Sequence, residues 1–169
     1  MNKEIRSLFQ SFYNAGRGFL YCVNNERNIR IHLTAALYVL LFSLFYDFSL
    51  LQYAVIFGVI ALVIAMEMIN TSIEALVNLI SPSYSGLARI AKDVAAGAVF
   101  VCAGTAAVIG VLFYWDIMAF QRIFFFFADS PAMLIPLLGM AGFSCWFVFR
   151  GPGRVAKQIR KKSDDIRSR

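Results

Sequence analysis

The chain has 169 residues, of which 60% are hydrophobic, 15% aromatic and 15% charged, with a mean hydropathy of +0.68. Only about 45–50% of residues are apolar in an ordinary soluble domain, so the composition excludes one and indicates a single small membrane domain. The eight Lys/Arg and two Asp from Arg150 onward account for the whole formal charge of +6. The charge therefore speaks for a tail suited to anionic lipid head groups and against nucleic-acid binding, since no folded module accompanies it.

In chain order, residues 3–25 form an amphipathic pattern. Ile5, Leu8, Phe9 and Phe12 make one apolar stripe, extended by Leu20 and Val23, while Arg6, Gln10, Asn14 and Arg17 lie off it. This predicts a helix lying in the membrane surface; a helix packed on a soluble core is the plain alternative. The stretch from Leu33 to about Phe45 is short for a span of about 20 residues, and crosses only if its helix begins near Asn28. Leu50–Ile80 is a second, longer segment. Pro82 and Gly86 break the chain after it. Val94–Trp115 is a third segment, opened by Lys92 and Asp93, and Pro131–Phe149 a fourth, with residues 116–130 read as a loop. The first thirty residues carry charges throughout, so no cleavable signal peptide is expected. Trp115 and the run Phe124–Phe127 read as interfacial anchors. Cys22, Cys102 and Cys145 are odd in number and lack ligand spacing, which predicts small buried hydrophobes.

Cationic side chains recur at every second boundary: Lys3, Arg6, Arg17, Arg27 and Arg30 before the first segment, Arg89 and Lys92 between the second and third, and the basic tail after the fourth. The positive-inside rule then predicts four spans with both termini in the cytoplasm. The fold expected is an all-α membrane protein, with a domain over 1–115 and a C-terminal extension over 116–169.

Glu67, Asn70 and Glu74 interrupt the second segment at i, i+3 and i+7, on one helical face. A carboxylate at the bilayer centre costs roughly 2.5–3.5 kcal/mol on insertion scales, so such a residue marks a functional site and requires a cation, a metal or a water-filled crevice. Glu26, Lys92 and Asp93 lie toward the same, cytoplasmic side. This set suits phosphoryl transfer, which is mostly positioning and charge neutralisation. Mg²⁺ takes one or two carboxylates plus substrate phosphates, and Glu26 and Glu74 can supply them. Lys92 can neutralise a phosphate. Glu67, deeper in the membrane, can take the proton from a lipid hydroxyl. Neither a Walker-type nor a dinucleotide-type glycine loop is present.

The string Glu67-x-x-Asn70-Thr71-x-Ile73-Glu74, followed by Ala91-Lys92-Asp93, resembles the bacterial integral-membrane diacylglycerol kinase family. Ala15-Gly16-Arg17-Gly18 and Glu26-Arg27-Asn28-x-Arg30-Ile31-His32 fit the same pattern, and the resemblance covers about residues 5–115. Ser72 stands where the family usually has Ala. The resemblance implies a homotrimer in the bacterial cytoplasmic membrane, with a surface helix, three spans per protomer and active sites between protomers. It implies that Glu67 is the general base supported by Asn70, that Glu26 and Glu74 are metal ligands, and that Lys92 and Asp93 contact ATP. Asn14, Ser83, Tyr84 and Ser85 would lie near the nucleotide, and Arg17 near lipid or phosphate. The Gly-Arg-Gly, Arg-Ile-His and Ala-Ala-Gly-Ala strings look more like the undecaprenol kinase branch than the diacylglycerol branch. The family gives no reading for residues 116–169.

Other readings stand beside this one. Intramembrane acids also serve small transporters and proton pathways, although four spans without a repeat suit alternating access poorly. A membrane adaptor acting through the basic tail is a third class. Individually, Asn70 reads equally as interhelical glue, Lys92 and Asp93 as an ordinary helix start, Arg89 as a topology charge, and His32 as an interfacial side chain.

Overall fold

The computed structural model describes residues 3–80 and 85–153. Its regular structure is helical throughout: α1 Lys3–Asn25, α2 Arg27–Ser43, α3 Leu50–Ile80, α4 Gly86–Tyr114, α5 Ile117–Asp129, a single 3₁₀ turn over Pro131–Met133, and α6 Leu134–Phe149. Three helical segments are long and apolar enough to cross a membrane among the described residues: Leu50–Ile80, Gly86–Tyr114 and Pro131–Phe149. Their large side chains, among them Phe57, Leu76, Phe100, Leu112 and Leu138, are mostly exposed. So much exposed apolar surface is out of place in water, and a bilayer is the solvent it fits. The chain is a multi-pass membrane protein.

α3 and α4 pack as a long antiparallel hairpin, with α2 laid against α3 and α6 against α2. At 17 residues, α2 rises only about 25 Å, which is short of a hydrocarbon core of about 30 Å. α1 is exposed from Glu4 to Gly18. Only its last turns pack, where Cys22 and Val23 join Ile29 of α2 in a small core flanked by Phe19, Leu33, Ile64, Met68 and Phe147. Four helices thus converge on the α1–α2 corner.

The opposite end is built from rings. Tyr46 stacks on Phe48 at 5.1 Å and meets Tyr114 at 4.7 Å. The Tyr46 hydroxyl donates to the Tyr114 carbonyl at 3.0 Å, and the Tyr114 hydroxyl donates to the Val39 carbonyl at 2.7 Å.

Four sequence expectations change. The stretch read as a loop over 116–130 contains α5. The Asp116 side chain accepts from the Met118 N–H at 2.9 Å and caps it, and Arg122 pairs with Asp47 back at the α2–α3 turn. The Phe run lies on this helix, where Phe126 meets Phe45 edge-on at 5.2 Å. α4 begins at Gly86, so Lys92 and Asp93 lie inside the helix and do not start it; the apolar Leu87, Ile90 and Val94 carry its period across them. Arg30, counted among the interfacial charges, is 1% exposed, because carbonyls of two helix ends surround it. Of the three cysteines only Cys22 is buried; Cys145 is exposed on α6, where lipid can cover a thiol as well as a core can.

Candidate functional site

The site grows from the polar face of α3. Glu67 is 2% exposed and Asn70 9%, while Glu74 is half-buried. Helical spacing aligns them, and hydrogen bonds fix them. The Asn70 amide donates to a Glu74 carboxylate oxygen at 3.1 Å, and Thr71 returns its hydroxyl to the Glu67 carbonyl at 3.0 Å.

Glu67 finds its compensating partner on α2. Its carboxylate lies 3.3 Å from Nε2 of His32, one turn along α2 from Asn28. Sequence reasoning identified the need for a partner but placed His32 at the interface. The hint was the position of His32 at the entry of an apolar run, and what was missing was the proximity of α2 to α3.

Glu26 is the residue between α1 and α2. It has an extended backbone, and its N–H donates to the Cys22 carbonyl at 2.8 Å. Burial pushes its carboxyl above the ordinary carboxylate range, and the Glu74 carboxylate pushes it further, against an opposing pull from Arg30. A carboxylate whose charge is opposed by burial and by a neighbouring carboxylate is a site that a cation relieves.

Asn70 supplies a second indication. Its Oδ1 is buried and has no hydrogen-bond partner among the described residues, and an orphaned buried acceptor costs about 1–3 kcal/mol. Asn70 lines a cleft of about 350 Å³ together with Asn28, His32, Glu67 and Ala96. No group of three His, Cys, Asp or Glu side chains converges among the described residues, so the donor set does not suit a metal enclosed by protein. Two carboxylates completed by phosphate oxygens and water suit Mg²⁺.

The remaining sequence candidates lie outside this cluster. Lys92 donates to the Asn78 side chain at 2.7 Å; Asn78 lies one turn beyond Glu74 on α3, so the ammonium stands at the edge of the site. Asp93 is exposed and pairs with Arg89 at 3.7 Å. Asn14 accepts from Gln10 at 3.1 Å, and Arg17 sits over the Tyr13 ring at 5.9 Å, both on the exposed part of α1. Ser85 precedes α4 without capping it through its side chain. Ser83 and Tyr84 lie outside the described residues, as does the basic tail beyond Gly153.

The segment holding this cluster is also the segment that known proteins share. The model of the prokaryotic diacylglycerol kinase family matches residues 13–114. The chain belongs to that family. It is 39% identical over 111 residues to an undecaprenol kinase of Bacillus subtilis, covering 66% of this chain and 90% of the relative. It is 36% identical over 105 residues to a diacylglycerol kinase of Synechocystis, covering 62% of this chain and 60% of that relative. No solved structure matches significantly. This member of a lipid-kinase family carries α5 and α6 beyond the matched region.

Proposed function

We propose that the protein transfers the γ-phosphate of Mg·ATP to the hydroxyl of a membrane lipid alcohol, with undecaprenol favoured over diacylglycerol. One observation carries the reading: a buried Glu67 carboxylate paired with the half-buried His32, beside the unsatisfied Asn70 Oδ1 and facing a cleft within the family's segment. Glu67 takes the hydroxyl proton as the lipid oxygen bonds to the γ-phosphorus and the bond from that phosphorus to the bridging oxygen breaks to release ADP, and His32 holds the carboxylate in place. Asn70 orients Glu74 through its amide and leaves Oδ1 for the reacting groups. Glu26 and Glu74 would hold Mg²⁺, which neutralises phosphate charge. Lys92 supports the nucleotide from the edge.

Asn14, Arg17 and Asp93 are exposed on this single chain. That suits a homotrimer in which one copy's α1 and α4 complete another's nucleotide site, in a bacterial inner membrane with both termini cytoplasmic.

The preference for undecaprenol is supported by the space below Glu67. The catalytic cleft shares His32 and Ala103 with a second cavity of about 290 Å³, which shares Val39 and Gly110 with an outer cavity of about 620 Å³. From His32 to Phe42 along α2 this is about 15 Å, lined in its middle by Ala35, Ala36, Ala106 and Ala107. A methyl-branched polyisoprenoid buries more apolar surface per length of such a groove than a linear acyl tail does.

The test is phosphorylation of undecaprenol, diacylglycerol and ceramide by the purified protein with labelled ATP and Mg²⁺. Transfer to none of them would refute the kinase reading. A Gly110→Leu variant, whose side chain meets nothing within 4 Å at its first carbon, should raise KM for undecaprenol while short-chain diacylglycerol is spared. Equal effects on both would remove the groove from substrate selection.

A further inference from the structure

α6 lies outside the family match, yet it ends on the corner that presents Glu26. Tyr38 and Ser144 meet through their hydroxyls at 3.3 Å, Phe147 packs on the Cys22–Val23–Ile29 core, and Arg27 sits over the Phe149 ring at 4.9 Å. These contacts align α6 with α2 and bring its C-terminus to Arg30.

Arg30 then joins two helix ends. Its Nη1 donates to the Val23 carbonyl at 2.8 Å and the Asn24 carbonyl at 3.4 Å, and its Nε donates to the Val148 carbonyl at 3.3 Å. The last carbonyls of a helix have no intrahelical partner and carry its negative end. One buried guanidinium here serves both α1 and α6. The planar fork suits this role; a lysine ammonium lacks its spread of donors.

The chain after α6 is shaped to this contact. Gly151 has φ +60°, the left-handed region in which helices end on glycine. A Cβ there would lie 2.7 Å from Arg30 Cζ, and a Cβ at Gly153 would lie 2.5 Å from the Asn24 carbonyl oxygen. The backbone thus closes over both partners without room for a side chain. The α1 carbonyls fixed in this way belong to Val23 and Asn24, three and two residues before Glu26, and the neighbouring Cys22 carbonyl takes the Glu26 N–H itself.

We propose that Arg30 and the end of α6 form an intramolecular brace that positions Glu26 for metal–nucleotide binding. Arg30 is a positioning residue, and α6 is the added element that holds it. This inference rests on the reading of Glu26 as a metal ligand.

The test uses full-length protein in detergent and Mn²⁺·ATP as probe, with binding followed by the Mn²⁺ spin-resonance signal and helicity by circular dichroism. Gly151→Val and, independently, Arg30→Lys should each weaken Mn²⁺·ATP binding about tenfold, the scale on which partners of metal ligands act. Combined with Glu26→Gln, either should add no more than about twofold to the loss from Glu26→Gln alone, because the brace acts through that carboxylate. Losses that multiply, or wild-type binding in Arg30→Lys, overturn the brace and leave the kinase reading intact. If Gly151→Val loses helicity, Arg30→Lys decides alone. Wild-type protein that binds Mn²⁺·ATP with the expected non-additivity but phosphorylates no lipid alcohol removes the kinase reading and keeps the brace. Wild-type protein that does not bind Mn²⁺·ATP removes both.

Discussion

The two ends of α2 are built from opposite materials. At the Arg27 end, Glu26, Arg30, His32 and Glu67 are all wholly or partly buried, and their polar contacts join a carboxylate to His32 and a guanidinium to helix-end carbonyls. At the Ser43 end, Tyr46, Phe48, Phe113 and Tyr114 pack ring on ring, and the hydroxyls of Tyr46 and Tyr114 satisfy backbone carbonyls. Ring packing is favourable wherever it occurs, whereas buried charges cost stability unless paired. The end that tolerates the cost is the end expected to do chemistry. Changes at the two ends should therefore differ in kind: loss of rate or metal at the first, loss of stability alone at the second.

The largest effect belongs to Glu67. Glu67→Gln keeps volume and a hydrogen bond to His32 but cannot accept a proton. A positioned base is worth about 10²–10⁴-fold in rate, so kcat should fall by that order with Mg·ATP and lipid KM nearly unchanged. Normal turnover in a protein of at least wild-type stability would make the pair structural and erase the contrast between the two ends. Thermal unfolding measured beside the kinetics tells a catalytic defect from an unfolded protein.

Glu26→Gln and Glu74→Gln should act on the metal instead. Each should raise the Mg²⁺ concentration needed for half-maximal activity by on the order of tenfold or more, since even outer partners of metal ligands reach that scale. A Mg²⁺ titration of each variant checks this. Unaltered dependence in both would take the metal away from these carboxylates.

A subtler effect follows from the raised Glu26 carboxyl. Its proton is held more tightly in the folded state than in the unfolded chain, by burial and by Glu74. Its contribution to metal-free stability is therefore present in full below the ordinary carboxylate pKa and lost as pH rises through the raised value. A divalent cation favours the ionised form and must displace that proton. The rise in Tm on adding Mg²⁺ should accordingly be larger near neutral pH than in acid, and smaller in Glu26→Gln at neutral pH. A cation-induced shift independent of pH would show that Glu26 does not titrate with binding.

How far the sequence discloses this arrangement depends on the distance over which each contact acts. Glu67, Asn70 and Glu74 are legible because acids in an apolar run break a local rule, and helical spacing alone puts them on one face. The α3–α4 hairpin is legible for the same reason: long apolar runs with a Pro/Gly break between them. α5 was hidden because its apolar face and its Asp116 cap fall in a stretch that also holds charges. The His32–Glu67 pair and the Arg30–Val148 contact, 118 residues apart, depend on how helices pack side by side. Period and composition carry no record of that. Arg30 looked like any interfacial cation, since nothing local distinguishes a guanidinium facing water from one facing carbonyls.

The smallest expected effect tests the ring end. Tyr46 is 8% exposed, and its hydroxyl gives the Tyr114 carbonyl a hydrogen bond at the end of α4. Tyr46→Phe keeps the ring and its contacts with Phe48 and Tyr114 but removes the donor. A hydrogen bond of this kind contributes about 0.5–1.5 kcal/mol net, so thermal unfolding in detergent should show a loss of that size. Turnover and Mg²⁺ dependence below the transition should match the wild type, because the ring that lines the groove is kept and about three turns of α2, roughly 16 Å, separate this end from the His32–Glu67 pair. A fall in kcat at a temperature where the variant is fully folded would mean that the two ends are coupled along α2. The groove between His32 and Tyr46, with Val39 and Gly110 at its junctions, would then be the path to examine, since a lipid chain lying in it touches both.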